Sequence, residues 1–277
     1  MANRTLWGAL RHVFRLMDEK NLSLIAAGVA FYGILAVFPG LATVIALWGV
    51  VGDPAAVAVE MTEFKAVLPV DVYTLIDGQL RALAQADGLT LGWASALSFA
   101  LAVWSARAGV AALMRGLNAI YDVPNRQGLS HYTRALFLTF SLVGVAVVAI
   151  ACIVLIPIVV AFVPLGVWYG TVLDVARWAI AVAVLMAGFS VIYRLGPNRA
   201  SRPSRWVTPG AIFATIFWAG ASAGFLIYLT NFGAYNEVYG SIGAVIAMLM
   251  WLFISAWLVL LGGALNAEIE ARSNTAP

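Results

Sequence analysis

Arginine is the residue type in this chain with the clearest chemical potential. Arg194, Arg199, Arg202 and Arg205 fall within the stretch RLGPNRASRPSRW at 194–206, and no acid lies between Asp174 and Glu237. Guanidinium groups are permanently charged, planar forks of donors that suit phosphates and carboxylates. Such a run can read a nucleic acid, hold an anionic lipid head group, or keep its segment on one side of a membrane. Other reactive types are sparse. His12 and His131 sit on separate polar segments, so they make no histidine-pair metal site and read as surface or interfacial residues. The lone Cys152 excludes an internal disulfide or a cysteine cluster, and its apolar neighbours predict a small buried thiol. RNA cleavage would need an acid–base pair or clustered metal ligands. Asp18, Glu19, Asp122, Glu268 and Glu270 show no such grouping, and neither a phosphate-cradling glycine loop nor a Ser-His-Asp pattern is present. Tyr193 and Trp206 alone flank the arginine run, where they read as interfacial anchors rather than base-stacking platforms. No catalytic, cofactor-binding or metal-binding residue emerges, and the expectation is a non-enzyme without cofactor and without a nucleic-acid partner.

The elements that must position these residues are membrane helices. Apolar residues make up 63% of the 277-residue chain and charged ones 10%, a balance that a single water-surrounded core does not accommodate. A bilayer crossing takes roughly 20 apolar residues of helix, because a helix satisfies its own backbone. Six stretches qualify, near 24–51, 89–106, 135–163, 171–193, 208–230 and 241–265. Pro39 lies within the first and is expected to kink it. The third is long, and Pro157 and Pro164 leave open one tilted helix or a broken one.

Charge orients the spans. Arg4, Arg11, Arg15 and Lys20 at the N-terminus, Arg107, Arg115, Arg126 and Arg134 in 107–134, and the 194–206 run alternate with acidic or neutral segments. Lysine and arginine stay on the cytoplasmic side, so both termini are expected there, in a bacterial inner membrane. The expected fold is an all-α polytopic membrane protein with six transmembrane helices. It has a cytoplasmic interfacial helix in 1–23, a transmembrane domain in 24–266 and a cytoplasmic tail in 267–277. The helix in 1–23 rests on Leu6, Leu10, Val13, Phe14 and Met17 recurring at helical spacing; these residues carry too many charges for a cleavable signal. The extracytoplasmic loop 52–88 is expected to hold two short amphipathic helices, from an Asp53-Pro54 start and a stripe of Val72, Leu75, Ile76, Leu80 and Leu83.

Within the spans, Gly220 and Gly224 form a GxxxG motif that predicts close helix packing, inside the chain or with another subunit. Asp174 and Arg177 stand three apart and share a helix face, a candidate charged pair near a membrane boundary. Tyr239 and Gly240 read as a turn entering the last span, with Pro39 the other candidate for a kink or gate.

Five strings come in register: AAGVAFYGILAVFPG (26–40), AVWSARAGVAALMRGLNAIYDV (102–123), YRLGPNR (193–199), YNEVYGSIGAV (235–245) and MWLFISAWLVLLGGALNAEIE (250–270). Over nearly its whole length the chain resembles the YihY/BrkB family of bacterial inner-membrane proteins, which also carries the old label ribonuclease BN. The resemblance implies six helices and a membrane location, and leaves the activity open. One position departs from it: many members show a GAELNAE pattern, where this chain has Gly262, Gly263, Ala264, Leu265, Asn266, Ala267 and Glu268, with Ala264 in place of the acid before the leucine. Glu268 and Glu270 remain, at a helix end whose dipole opposes them, so Arg272 or a loop arginine is their expected partner.

A chain given over to the bilayer, without an ATP-binding motif, fits a transporter of a lipid or other amphipathic, anionic substrate. Arg107, Arg115, Arg199, Arg202, Arg205 and Asn198 are the candidate head-group contacts. Membrane lipids are the expected partners, with a second copy or another membrane protein open. A non-transporting scaffold is the alternative, and a ribonuclease a remote one.

Overall fold

A computed structural model describes residues 6–51, 88–161, 169–199, 205–231 and 241–275. The described residues are all helical or connecting. Helix α1 spans Leu6–Glu19, α2 Leu22–Val51, α3 Gly88–Ile120, α4 Gly128–Ala161, α5 Tyr169–Leu195, α6 Pro209–Asn231 and α7 Ser241–Thr275. Each of α2 to α7 contains a segment long and apolar enough to cross a membrane, so the protein is an all-α polytopic membrane protein. The expected loop helices in 52–88, together with Pro164, Arg202, Tyr239 and Gly240, lie outside the described residues.

Sequential helices pack against one another around a ring that α7 closes against α2, while α7 also reaches α3. Alternate helices run in opposite senses, so the start of α2, the end of α3, the start of α4, the end of α5, the start of α6 and the end of α7 meet at one end. Contacts recorded below between these segments show this directly. This is the arginine-bearing end.

The ends of the helices follow local chemistry. Helix α3 stops where Asp122 turns left-handed (φ 49°) and Val123 N–H donates back to the Asn118 carbonyl at 3.0 Å, with Pro124 next. Asn21 makes the corresponding left-handed corner between α1 and α2 (φ 51°). Helix α6 starts with Thr208, whose hydroxyl accepts from Ala211 N–H at 3.2 Å, and with Pro209 in the first helical position.

Several expectations are revised. Helix α3 continues past Ala106 to Ile120 rather than becoming a connection at 107, because Leu113, Met114, Leu117 and Ile120 are buried against neighbouring helices. Helix α4 is one unbroken helix from Gly128 through Pro157, and α7 runs on to Thr275, so the expected tail is mostly helix. Pro39 sits within a continuous α2, where Thr43 Oγ1 donates to its carbonyl at 2.7 Å. Helix α1 lies within the expected 1–23, but Val13 and Met17 bury their side chains in the protein core while Arg11 and Arg15 stay exposed. Its apolar stripe therefore covers α2 and α7, not lipid alone. Cys152 is half-buried rather than buried.

Among the described residues, Gly220 and Gly224 do not bring helices together: a Cβ on either would meet nothing within 4 Å. The close crossing lies lower on the same helix. A Cβ on Gly210 would overlap the Gly262 carbonyl oxygen and come within 2.6 Å of the Asn266 side chain. One on Gly262 would stand 2.7 Å from the Gly210 carbonyl oxygen. Backbones of α6 and α7 touch here because neither residue has a side chain.

Burial is uneven along the bundle. Before Ser105 on α3, beyond Thr139 on α4, before Phe189 on α5 and beyond Thr215 on α6, no described residue is buried. Even the better covered stripes there, such as Leu173, Ala176, Ile180 and Val184 on α5, are only half-buried. The arginine-bearing half is close-packed, and the buried residues of α3 to α6 are confined to it.

Candidate functional site

The packed half is capped by a knot of polar side chains that come from helix ends and the loops beside them. Asn118, near the end of α3, is 1% exposed. Its Oδ1 accepts the backbone N–H of Asn198 at 2.7 Å, and its Nδ2 donates to Asn125 Oδ1 at 2.9 Å. Asn198 Nδ2 donates to the Pro124 carbonyl at 3.0 Å. Thus the loop after α5 is stitched to the loop after α3. Asn198, a candidate head-group contact, is used as this stitch.

Asn266 does the same between α6 and α7. Its Oδ1 accepts Gly210 N–H at 2.7 Å and its Nδ2 donates to Thr208 Oγ1 at 2.9 Å, all buried. The first N–H groups of a helix have no partner within it, and here a side chain from another helix supplies one. Tyr193 completes the crossing: it is 1% exposed and its hydroxyl donates to the Val259 carbonyl on α7 at 2.8 Å. It is a core residue, not the interfacial anchor expected from its neighbours. Trp206 does stand exposed, with the Arg194 guanidinium 4.1 Å above its ring.

Arg199 is drawn inward. One guanidinium nitrogen donates to both carboxylate oxygens of Glu270, at 2.7 and 3.0 Å, and the group stacks 3.5 Å over the Tyr121 ring. Burial holds the Tyr121 phenol well above its usual range, with Arg199 opposing the shift, so the ring under the cation stays neutral. Arg199 is therefore committed inside the chain, and its place among free head-group contacts is corrected. Glu268, 6% exposed, receives Arg272 Nε at 2.9 Å. His12 Nδ1 of α1 lies 2.8 Å from its other oxygen, at ion-pair distance but outside hydrogen-bond geometry. Both carboxylates thus have the partners expected of them, Arg272 and a loop arginine. Lys20 pairs with Asp122 across the same end.

The remaining candidates are scattered. Arg177 and Asp174 approach to 3.9 Å, but both are exposed and form a loose surface pair. Arg205 and Arg115 are exposed. Arg107 reaches from α3 to the ring of Tyr132 on α4, 4.3 Å away. Asn266 and the Gly210–Gly262 crossing were not singled out from the sequence; the small pair followed by a polar residue in LGGALNAE was the signal available. Among the described residues no three histidine, cysteine or acidic side chains gather as metal ligands. A pocket of about 620 Å³ lies beside α6 and α7, lined by Ile216, Phe217, Gly220, Phe253 and Trp257 among others, all apolar.

Known proteins are similar to this chain in sequence. The family model described as virulence factor BrkB matches residues 13–277. The ribonuclease-like protein YfkH of Bacillus subtilis is 36% identical over 187 residues, 64% of this chain and 66% of that protein. A UPF0761 membrane protein of Pseudoalteromonas translucida is 34% identical over 88 residues, and one of Xanthomonas campestris 37% over 95. These alignments cover 29% and 22% of those relatives, so the chain spans about two thirds of the first relative and under a third of the others. No solved structure matches. The chain belongs to the BrkB family of membrane proteins.

Proposed function

We propose that this protein moves an amphipathic, anionic substrate of lipid type across the bacterial inner membrane, without an ATPase of its own and without covalent chemistry. The observation that carries this reading is the contrast between the two halves of the bundle: one tied by the polar knot, the other without a buried described residue on α3 to α6 and with an apolar pocket beside α6 and α7. A carrier needs two such states, closed at one end and open at the other, and a substrate that favours their exchange. In this reading the arginine-bearing end faces the cytoplasm, and the bundle is closed on that side. The half-buried stripes of the less covered half are mainly aliphatic and aromatic, with Ser222 and Ser255 taken by the indoles of Trp251 and Trp218. Such walls suit acyl chains and repel small ions.

The test is reconstitution of purified protein into vesicles carrying a labelled anionic phospholipid, with quenching of the outer leaflet. Leaflet exchange faster than in empty vesicles is expected, and Glu270→Gln, which loosens the seal by weakening the Arg199 pair, is expected to alter that rate. Exchange no faster than in empty vesicles overturns the reading and leaves a membrane scaffold. The name of the Bacillus relative raises RNA cleavage, which the same preparation addresses: labelled RNA is expected to stay intact.

A further inference from the structure

The corner between α3 and α4 gathers cations without acids. Arg107, Arg115 and Arg126 all lie within electrostatic reach of His131, and Arg134 within reach of Arg126. Ion pairs elsewhere at this end follow the usual rule of opposite charges: Arg199 with Glu270, Arg272 with Glu268, Lys20 with Asp122. The corner's own carboxylate, Asp122, is the one Lys20 holds. Among the described residues no carboxylate stands at ion-pair distance from Arg107, Arg115, Arg126, His131 or Arg134.

The donors there are also unmet. Arg107 Nε, Arg126 Nη1 and both ring nitrogens of His131 are buried atoms without a hydrogen-bond partner. Buried donors left unpaired are costly, and charged ones more so. Burial, and then the nearby Arg134, lowers the Arg126 guanidinium below its ordinary range, the sign expected where a cation lacks an anion. Unmet nitrogens on three side chains, with two further arginines close by, make a setting that favours an anion. A phosphate suits it better than a single carboxylate, since several guanidinium groups can each engage a different oxygen. The flanking residues are apolar and outward: Leu129 is 78% exposed and Phe137 63%, with Tyr132 exposed between them.

We infer that the α3–α4 corner is a binding site for the phosphate group of an anionic lipid, with Arg107, Arg126 and His131 as its ligands and Arg115 and Arg134 as its outer field. The guanidinium stacked on Tyr132 gives the head group its cation, and the apolar outer side chains receive the chains attached to it. Only the source of the phosphate, a lipid rather than a free solute, rests on the proposed transport substrate; the anion site stands on its own geometry.

The test uses the whole protein in neutral detergent. Thermal unfolding and equilibrium binding are measured against three probes: a short-chain phosphatidate, the matching short-chain diacylglycerol, and inorganic phosphate. Phosphatidate is expected to bind and raise Tm, while the diacylglycerol does not and inorganic phosphate does so at much higher concentration. Arg126→Gln and Arg107→Gln are each expected to weaken phosphatidate binding about tenfold, the size of one lost charge-assisted contact. Arg15→Gln, on α1 and paired with Glu19, is expected to leave it unchanged. Arg126 lies in the connection between helices, so its variant carries the test should Arg107→Gln fail to fold. Unchanged binding in Arg126→Gln overturns the site. Inorganic phosphate binding as tightly as phosphatidate overturns the lipid as its source. Phosphatidate binding without leaflet exchange supports the site and separates it from the transport reading.

Discussion

Replacing one glycine should cost this protein a large part of its stability, while replacing another in the same helix should cost nothing. In Gly210→Ala the new methyl overlaps the Gly262 carbonyl oxygen and stands 2.6 Å from Asn266, where ordinary contact begins near 3.4 Å. Helix α6 must move away from α7 by roughly 1 Å, a displacement that overpacking usually costs at about 1–3 kcal/mol. The same displacement stretches the 2.7 Å bond from Gly210 N–H to Asn266, and a buried donor left unmet adds about 1–3 kcal/mol. The total is about 4 kcal/mol, which for a chain of this size lowers Tm by roughly 10 °C. Gly220→Ala and Gly224→Ala meet nothing within 4 Å. They gain the helix preference of alanine, worth up to about 1 kcal/mol, so Tm should hold or rise slightly. Purified variants in one detergent, followed by tryptophan fluorescence on heating, decide the matter. A Tm loss in Gly220→Ala equal to that in Gly210→Ala would refute the reasoning and move the tight crossing to the GxxxG motif.

Asn266→Ala removes the partner of Gly210 N–H and of Thr208, and a loss of about 2 kcal/mol in detergent unfolding is expected; Asn266→Asp, which keeps the acceptor but not the donor, should fall between. Asp122→Val forces a β-branched residue into the left-handed corner and should cost about 1–2 kcal/mol, while Asp122→Gly should stay within about 0.5, since the exposed Lys20 pair contributes little; equal effects would place the cost on the lost charge instead. In a background with Cys152 replaced, cysteine at Ser201 should label only from the cytoplasm and cysteine at Asp77 only from outside; labelling from one side by both would overturn the six-span topology.

Much of the fold was legible because its causes are local. Hydropathy runs mark α2 to α7 because lipid rewards any long apolar helix, whatever its neighbours are. Arg107 shows where this stops. A charge reads as the end of a span, but α3 runs on, because its next turns are covered by protein and Arg107 lays its head on Tyr132. Tyr193 and Asn266 show it again: their types are common at interfaces, yet both are buried because a helix close by supplies a partner. Gly220 and Gly210 are alike as letters, and only their neighbours distinguish them.

By itself, then, the sequence determined the helices, the membrane and the clustering of arginine in alternate segments, since each depends on composition over a single stretch. The tertiary structure alone decided which arginines are spoken for. Arg199 faces Glu270 across the knot, while no described acid stands at ion-pair distance from Arg107, Arg126 or His131. The physical reason is that a charge is defined by what lies within a few ångströms of it, and in this chain those neighbours come from other helices.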